Sequence, residues 1–280
     1  MAFNLTSDSK YKELKYFVPD NLINKNKNKN KKISAVFTTR LGGVSGEKIP
    51  ALKSLNLAFK DIDNPENVLK NYAIVADVMQ FPAENIVSVN QRHTDNIILC
   101  DEIYLKNHAF PDKDIADAMI TNIGGVVLVV KIADCVPILF YDERNNAVGA
   151  AHCGWRGTLK KLQSKTALKL TETYGTALDE LKVAIGPCIS SCCYEVSEDL
   201  FNEFYGEFGQ FAEQFFERKA NGKYHFDLKG INRRLLEEIG IKGENIEVSG
   251  NCTCCEEDLF FSHRRDGENR GTLAALIGIR

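Results

Sequence analysis

The stretch from Gly124 to His152 constrains the fold of this chain more than any other. Gly124 to Val130 is apolar, and Ile132 to Tyr141 continues it with only Lys131 and Asp134 as interruptions. Neither piece reaches the ~20 apolar residues that a membrane helix needs. Both read as buried strands, the first over Gly125–Lys131 by its β-branched run. Val136–Tyr141 and Ala147–His152 then flank a polar turn, Asp142–Asn146, which predicts a β-hairpin.

That hairpin carries two metal-competent side chains, Cys135 at the start of one strand and His152 at the end of the other. If Asp142 faces Ala147, Cys135 faces Gly154 and lies diagonal to His152. If the turn tightens onto Glu143 and Arg144, Cys135 faces His152 directly. Either register puts both on one face of the sheet, because side chains alternate along a strand. Their Cβ atoms are then ~5 Å (opposite) or ~7–8 Å (diagonal) apart, and a Zn–S bond of ~2.3 Å with a Zn–N bond of ~2.0 Å spans that gap. Cys153 points to the other face and is rejected as a ligand. His93, at the end of a different strand, is the candidate third ligand, although spacing alone does not bring it there.

Elsewhere, Lys15–Pro19 and Ile33–Thr39 read as strands, joined by an Asn/Lys-rich solvated loop over residues 20–32. Asn64–Met79 is predicted helical, with Val68, Tyr72, Val75 and Met79 on one face and Pro65 in the first turn. Ile86–Asn90 reads as a strand that leads into Gln91-Arg92-His93. Thr158–Tyr174, the Phe-rich Ser197–Arg218 and Asp227–Ile239 read as helices, and Val183–Ile185, Ile246–Ser249 and Leu273–Ile279 as strands. The mixture lacks a clean βαβ rhythm, so an α+β class with mixed sheets is favoured.

Composition excludes more than it identifies. A net charge of -3 and a pI near 6.0 give no basic footprint for nucleic acid. The polar N-terminus, Met1 to Lys15, is not a secretory signal, so a cytoplasmic protein without a membrane segment is expected. A monomer is expected because no heptad or long apolar surface helix appears. The nine cysteines should be thiols or ligands rather than disulfides. Cys188, Cys192 and Cys193 with Cys252, Cys254 and Cys255 offer a competing structural zinc. The only strict C-x-x-C is Cys252–Cys255, however, so reduced buried thiols are the plainer reading.

His152-Cys-Gly-Trp-Arg-Gly-Thr158 reads as a strand, a glycine turn and a helix start, where backbone N–H groups and Arg156 suit an anion. A structural turn with Trp155 packed on the core is the alternative. Of Arg264 and Arg265, one suits a substrate contact and the other a salt bridge. Two solvated arginines fit as well.

Ten ordered segments then carry a resemblance. They are Phe37-Thr-Thr-Arg-Leu-Gly-Gly-Val-Ser, Ser54-Leu-Asn-Leu, Asn90-Gln-Arg-His, Ala116-Asp-Ala-Met-Ile-Thr and Ala133-Asp-Cys-Val-Pro, followed by Ala151-His-Cys-Gly-Trp-Arg-Gly, Ile185-Gly-Pro-Cys-Ile, Tyr194-Glu-Val, Cys252-Thr and Phe260-Phe-Ser-His-Arg-Arg-Asp-Gly. From about Ser34 onward the chain resembles the YfiH-type family, also called the laccase-domain or polyphenol-oxidase family.

The resemblance implies a single layered α/β/β/α domain over 1–280, with its core in about 33–280. It implies a zinc held by His93, Cys135 and His152, the catalytic centre, with an open fourth position. It also implies a purine nucleoside phosphorylase that takes phosphate with adenosine, inosine or methylthioadenosine, and adenosine deaminase activity. Arg40, Arg156 and Arg264 are the candidate substrate contacts, and Asp134 is a weak choice as general acid. Two positions depart from the usual pattern: Thr94 stands where glycine is common and is expected to narrow the approach to the metal, and Cys153 stands in place of alanine. Rival readings are an amide hydrolase that edits peptidoglycan precursors (by zinc, or by a Cys135 nucleophile with His152 as base), a copper oxidase, and a four-ligand binding module.

Overall fold

The computed structural model describes residues 3–23, 32–108, 110 and 114–280. The Asn/Lys-rich run lies, from residue 24 to 31, outside the described residues. In chain order the elements are β1 (Asn4–Ser7), β2 (Lys15–Val18), β3 (Ile33–Thr38), α1 (Pro65–Met79), β4 (Ile86–Ser88), β5 (Ile97–Leu99), α2 (Glu102–Asn107), β6 (Ala118–Thr121), β7 (Val127–Ile132), β8 (Val136–Asp142), β9 (Ala147–Cys153), α3 (Trp155–Leu159) and α4 (Leu162–Tyr174). There follow β10 (Lys182–Ile185), β11 (Glu195–Val196), α5 (Glu198–Phe208), α6 (Gln210–Glu213), β12 (Phe216–Arg218), β13 (Tyr224–Phe226), α7 (Leu228–Glu238), β14 (Ile246–Val248), α8 (His263–Asp266) and β15 (Leu273–Ile279).

Two six-stranded mixed sheets form, ordered β1-β2-β3-β15-β7-β4 and β14-β10-β8-β9-β6-β5, with a small third sheet β11-β13-β12. The apolar run is long because its strands are buried on both faces. On β7, Leu128, Val130 and Ile132 pack between the sheets, whereas Val127 and Val129 pack against α1. On β8, Leu139 and Tyr141 face the other sheet, and Val136, Ile138 and Phe140 face the layer of α4, α5 and α7. This is the α/β/β/α layering of an α+β fold, as expected.

Helix α1 follows the predicted pattern: the Asn64 side chain caps it by accepting from the Glu66 N–H, Pro65 occupies the first turn, and Val68, Tyr72, Val75 and Met79 are buried. The helix predicted over Thr158–Tyr174 starts earlier, at Trp155, and breaks before Leu162, where Lys161 is left-handed (φ 60°). The break lets α3 be tied to α7 by the buried Asn232–Thr158 side-chain bond (2.8 Å), while α4 separately lays Leu162, Ala167 and Leu170 on the sheet.

The helix predicted over Ser197–Arg218 is corrected more strongly. Gly209 (φ 58°) ends α5, and Phe216–Arg218 is a strand paired with β13. Ring packing outweighs helix continuation there: Phe216 stacks on Phe226 at 4.0 Å and Phe201 on Tyr224 at 4.6 Å. The phenylalanines are core, as read. Strand β1 had no counterpart in the sequence reading. No helix among the described residues is long and apolar enough to cross a membrane.

Gly186, just past β10, sits against the Phe37 ring and Pro137, so that a β-carbon there would enter the ring. Gly186→Ala is expected to cost about 1–3 kcal/mol by overpacking. Urea unfolding should show a lower midpoint at unchanged slope.

Candidate metal centre and cavity

The hairpin adopts the first of the two registers, with Asp142 opposite Ala147 and Val136 opposite Cys153. One step further Cys135 lies opposite Gly154, diagonal to His152. Cys135 and His152 share the face between the two sheets, whereas Cys153 is buried on the opposite face. The diagonal works because residue 154 has no side chain: a β-carbon there would stand 2.9 Å from Cys135 Sγ and 3.0 Å from His93 Cδ2.

His93 arrives from the loop after β4, which sequence spacing could not establish. Its backbone is left-handed (φ 58°), a conformation in which histidine is enriched among non-glycine residues. The cause is Asp117, fully buried at the start of β6. Its carboxylate accepts the N–H groups of Arg92 (3.2 Å), His93 (3.1 Å) and Thr94 (2.6 Å), and the Thr94 hydroxyl (2.8 Å). The same carboxylate takes His152 Nδ1 at 2.8 Å. An ionised carboxylate only accepts, so Nδ1 carries the proton and Nε2 is left to bind a cation. Thr94 therefore turns toward Asp117 and does not narrow the cavity, contrary to expectation.

His93 Nε2 lies 3.8 Å from Cys135 Sγ, and one ligand atom each from His93, Cys135 and His152 falls within 4.8 Å of the others. Tetrahedral zinc with a ~2.0 Å Zn–N and a ~2.3 Å Zn–S bond sets its N and S ligands about 3.5 Å apart. The donor set thus fits a metal ion with little movement, and three protein ligands, rather than the four of a closed structural site, converge among the described residues.

Without a metal, burial would raise the Cys135 thiol, but the charge of His152 and hydrogen bonds from His152 and His93 outweigh it and bring it to about 6. Burial would lower His152, but the Cys135 thiolate and the Asp117 hydrogen bond raise it to about 9. A proton on His152 thus holds the place that a metal cation would take.

The three side chains sit at the floor of a cavity of about 910 Å³. Phe59, Trp155 and Tyr194 supply aromatic wall. Lys60, Arg156, Arg264 and Arg270 supply positive charge. Arg156 stacks on Trp155 at 4.1 Å, and Arg264 packs over Tyr194 at 5.3 Å while donating to the carbonyls of Cys193 and Glu195. Arg270, which sequence reasoning did not single out, has Nε and Nη1 buried with no hydrogen-bond partner. Nothing in its Asn-Arg-Gly context signals this; the final turn before β15 aims it.

Arg40 is not brought to the cavity. It donates to the carbonyls of Lys53, Ala51 and Glu257 and packs on Phe261, bracing loops. Asp134 is also committed, accepting from Thr253 Oγ1 (2.6 Å), Ser262 Oγ (3.0 Å) and the Arg264 N–H (2.7 Å). Arg265 is the salt-bridging member of its pair, to Asp266 at 2.7 Å.

Comparison with known proteins agrees with this architecture. The family model for multi-copper polyphenol oxidoreductase laccases matches residues 34–280. The chain belongs to this family. Among its relatives, a protein named purine nucleoside phosphorylase YlmD from Bacillus subtilis is 33% identical over 257 residues, 90% of each chain. A protein named adenosine deaminase RL5, from an unknown prokaryotic organism, is 30% identical over 239 residues, 84% of this chain and 90% of that one. The crystal structure of the hypothetical protein YfiH from Bacillus licheniformis superposes with a TM-score of 0.84 at 31% identity, covering 96% of this chain and 97% of that one. The His93–Cys135–His152 cluster gives this family member a candidate metal site.

Asp117 should tie metal affinity to acid stability. Burial works against its charge, but the His152 contact and the Thr94 donors lower its pKa from 3.8 to about 2. A depressed carboxylate stabilises the fold above its unfolded pKa, and that contribution is lost as pH falls from about 4 toward 2, on the order of 2 kcal/mol. Asp117→Asn is expected to flatten that acid limb and to weaken metal binding roughly 10–100-fold. Chelator competition and pH-dependent unfolding check the two effects.

Proposed function

We propose that this protein is a zinc-dependent purine nucleoside phosphorylase acting on adenosine, inosine and methylthioadenosine, with adenosine deaminase activity. The observation that carries the reading is the pairing, in one cavity, of a two-histidine, one-cysteine cluster with Arg270, whose Nε and Nη1 are buried without a hydrogen-bond partner. Relatives named for both activities support the substrate class.

In phosphorolysis a phosphate oxygen bonds to C1′ of the ribose while the C1′–N9 bond breaks. The base leaves with the bonding pair and takes up a proton. The chain's own contribution is binding and orientation. Arg270, Arg156 and Arg264 neutralise the phosphate as charged donors. Trp155, Tyr194 and Phe59 offer flat faces to the purine. Asp117 holds His152 in one tautomer and His93 in one backbone conformation. His93, Cys135 and His152 would hold the zinc, which when bound supplies Lewis acidity and an activated water for deamination. The cavity is large enough for a small-molecule substrate such as a nucleoside, and the reading is of a cytoplasmic enzyme.

Two outcomes test the reading. The zinc-loaded protein should release base from adenosine and inosine only when phosphate is present, and His93→Ala should abolish release. Zinc-bound protein that releases none points to the precursor-editing hydrolase instead. The second test is the pH dependence. Burial and then the neighbouring Arg270 charge lower the Lys60 ammonium to about 8. Its positive charge is therefore present below pH 8 and lost above it, and KM for phosphate should rise through that pH. Lys60→Arg, which keeps the charge, should remove the rise; an unchanged profile would mean that Lys60 does not serve the anion.

A further inference from the structure

Away from the cavity floor a second cluster of thiols converges. Strands β10 and β14 are parallel neighbours, Ile185 opposite Val248, so the loops that follow them leave the same end of the sheet side by side. The loops are tied together by an isolated backbone β-bridge at Cys188 and Cys252 and by the Thr253 N–H on the Cys188 carbonyl (3.1 Å). The first loop carries Cys192 and Cys193, and the second carries Cys252 and Cys255. Sγ of Cys255 lies 3.4 Å from that of Cys192 and 3.3 Å from that of Cys193, and the latter two are 3.8 Å apart. All four sulfurs fall within 4.8 Å of one another. None is in a disulfide.

We infer that Cys192, Cys193, Cys252 and Cys255 form a mononuclear tetrathiolate site for a thiophilic divalent cation, zinc in the first place. Four sulfurs at ~2.3 Å from a tetrahedral zinc stand about 3.8 Å apart, and the observed spacings need only small adjustments to reach that. Cys252-x-x-Cys255 is a chelating pair of ordinary spacing. The adjacent Cys192 and Cys193 would point apart on a strand, but they lie in a turn (191–193) that brings both sulfurs to Cys255. This is why the lack of a second C-x-x-C does not exclude the site, and why Cys192 and Cys255, expected to be buried, are exposed.

The surroundings suit the dianion that four thiolates and one divalent ion would make. The Ser190 N–H points at Cys252 Sγ (3.4 Å). The Lys229 ammonium, buried, sits on Ser190 Oγ and the carbonyls of Ser249 and Asn251. The Arg265 guanidinium sits on the carbonyls of Thr253 and Cys254.

With four protein ligands the site is closed, hence structural. It clamps two loops that build the cavity wall: Tyr194 and Ile189 line the cavity, Arg264 rests on the Cys193 carbonyl, and Thr253 holds Asp134. The inference does not rest on the proposed reaction.

The test is zinc content and ligand identity in a full-length His93→Ala/Cys135→Ser protein, which removes two ligands of the first cluster. After equilibration with zinc and removal of excess, one zinc per chain is expected, with an X-ray absorption shell of four sulfurs at ~2.3 Å and no nitrogen. Adding Cys192→Ser and Cys255→Ser should abolish it. A folded double variant without zinc, or one whose zinc has nitrogen ligands, overturns the site. If the added serines prevent folding, the ligand shell of the double variant still decides.

Discussion

The carboxylate of Asp117 is the constraint on which the rest of the centre depends. It is a fully buried charge, costly unless its hydrogen-bonding capacity is met. Three successive backbone N–H groups, one hydroxyl and one imidazole meet it. These donors come from two places distant in sequence, the loop after β4 and the end of β9. Satisfying one buried anion therefore sets the positions of both histidines. The left-handed backbone of His93 follows from that requirement, and so does the tautomer of His152.

The sheets supply the frame for this interaction. Strand β4 belongs to the first sheet, and β6, β8 and β9 to the second, so Asp117 and its donors lie across the seam between the two layers. The cavity opens at the end of that seam, where backbone hydrogen bonding has run out and side chains take over. Asp134 performs a similar task from the other side, joining the turn before β8 to Thr253, Ser262 and the start of α8. Through α8 it aims Arg264 at the cavity, and the loops that meet there carry the second thiol cluster. A polar site of this kind is rigid because each buried acceptor is satisfied.

The hairpin was legible in the sequence because strand periodicity is two: parity alone put Cys135 and His152 on one face in either register. The register itself needed the turn. Helix α1 was legible from its first-turn proline and apolar stripe. The breaks at Lys161 and Gly209 were not, because they answer to long-range packing, the Asn232–Thr158 bond and the stack of Phe216 on Phe226. His93 stood as the candidate third ligand and the family resemblance strengthened it, but spacing could not bring it to the site, since the contact that delivers it spans 24 residues. Arg40 was a candidate substrate contact through the family resemblance, yet its guanidinium is spent on carbonyls. Arg270 carried no motif, and only the fold shows its unpartnered nitrogens.

The most direct test of this account is a crystal structure of the protein soaked with zinc and phosphate, with zinc located by anomalous scattering. The account predicts an ion bound by Nε2 of His93, Sγ of Cys135 and Nε2 of His152, with His152 Nδ1 still on Asp117 and a phosphate against Arg270. Zinc bound elsewhere in the cavity, or held through His152 Nδ1 with the Asp117 contact broken, would contradict it.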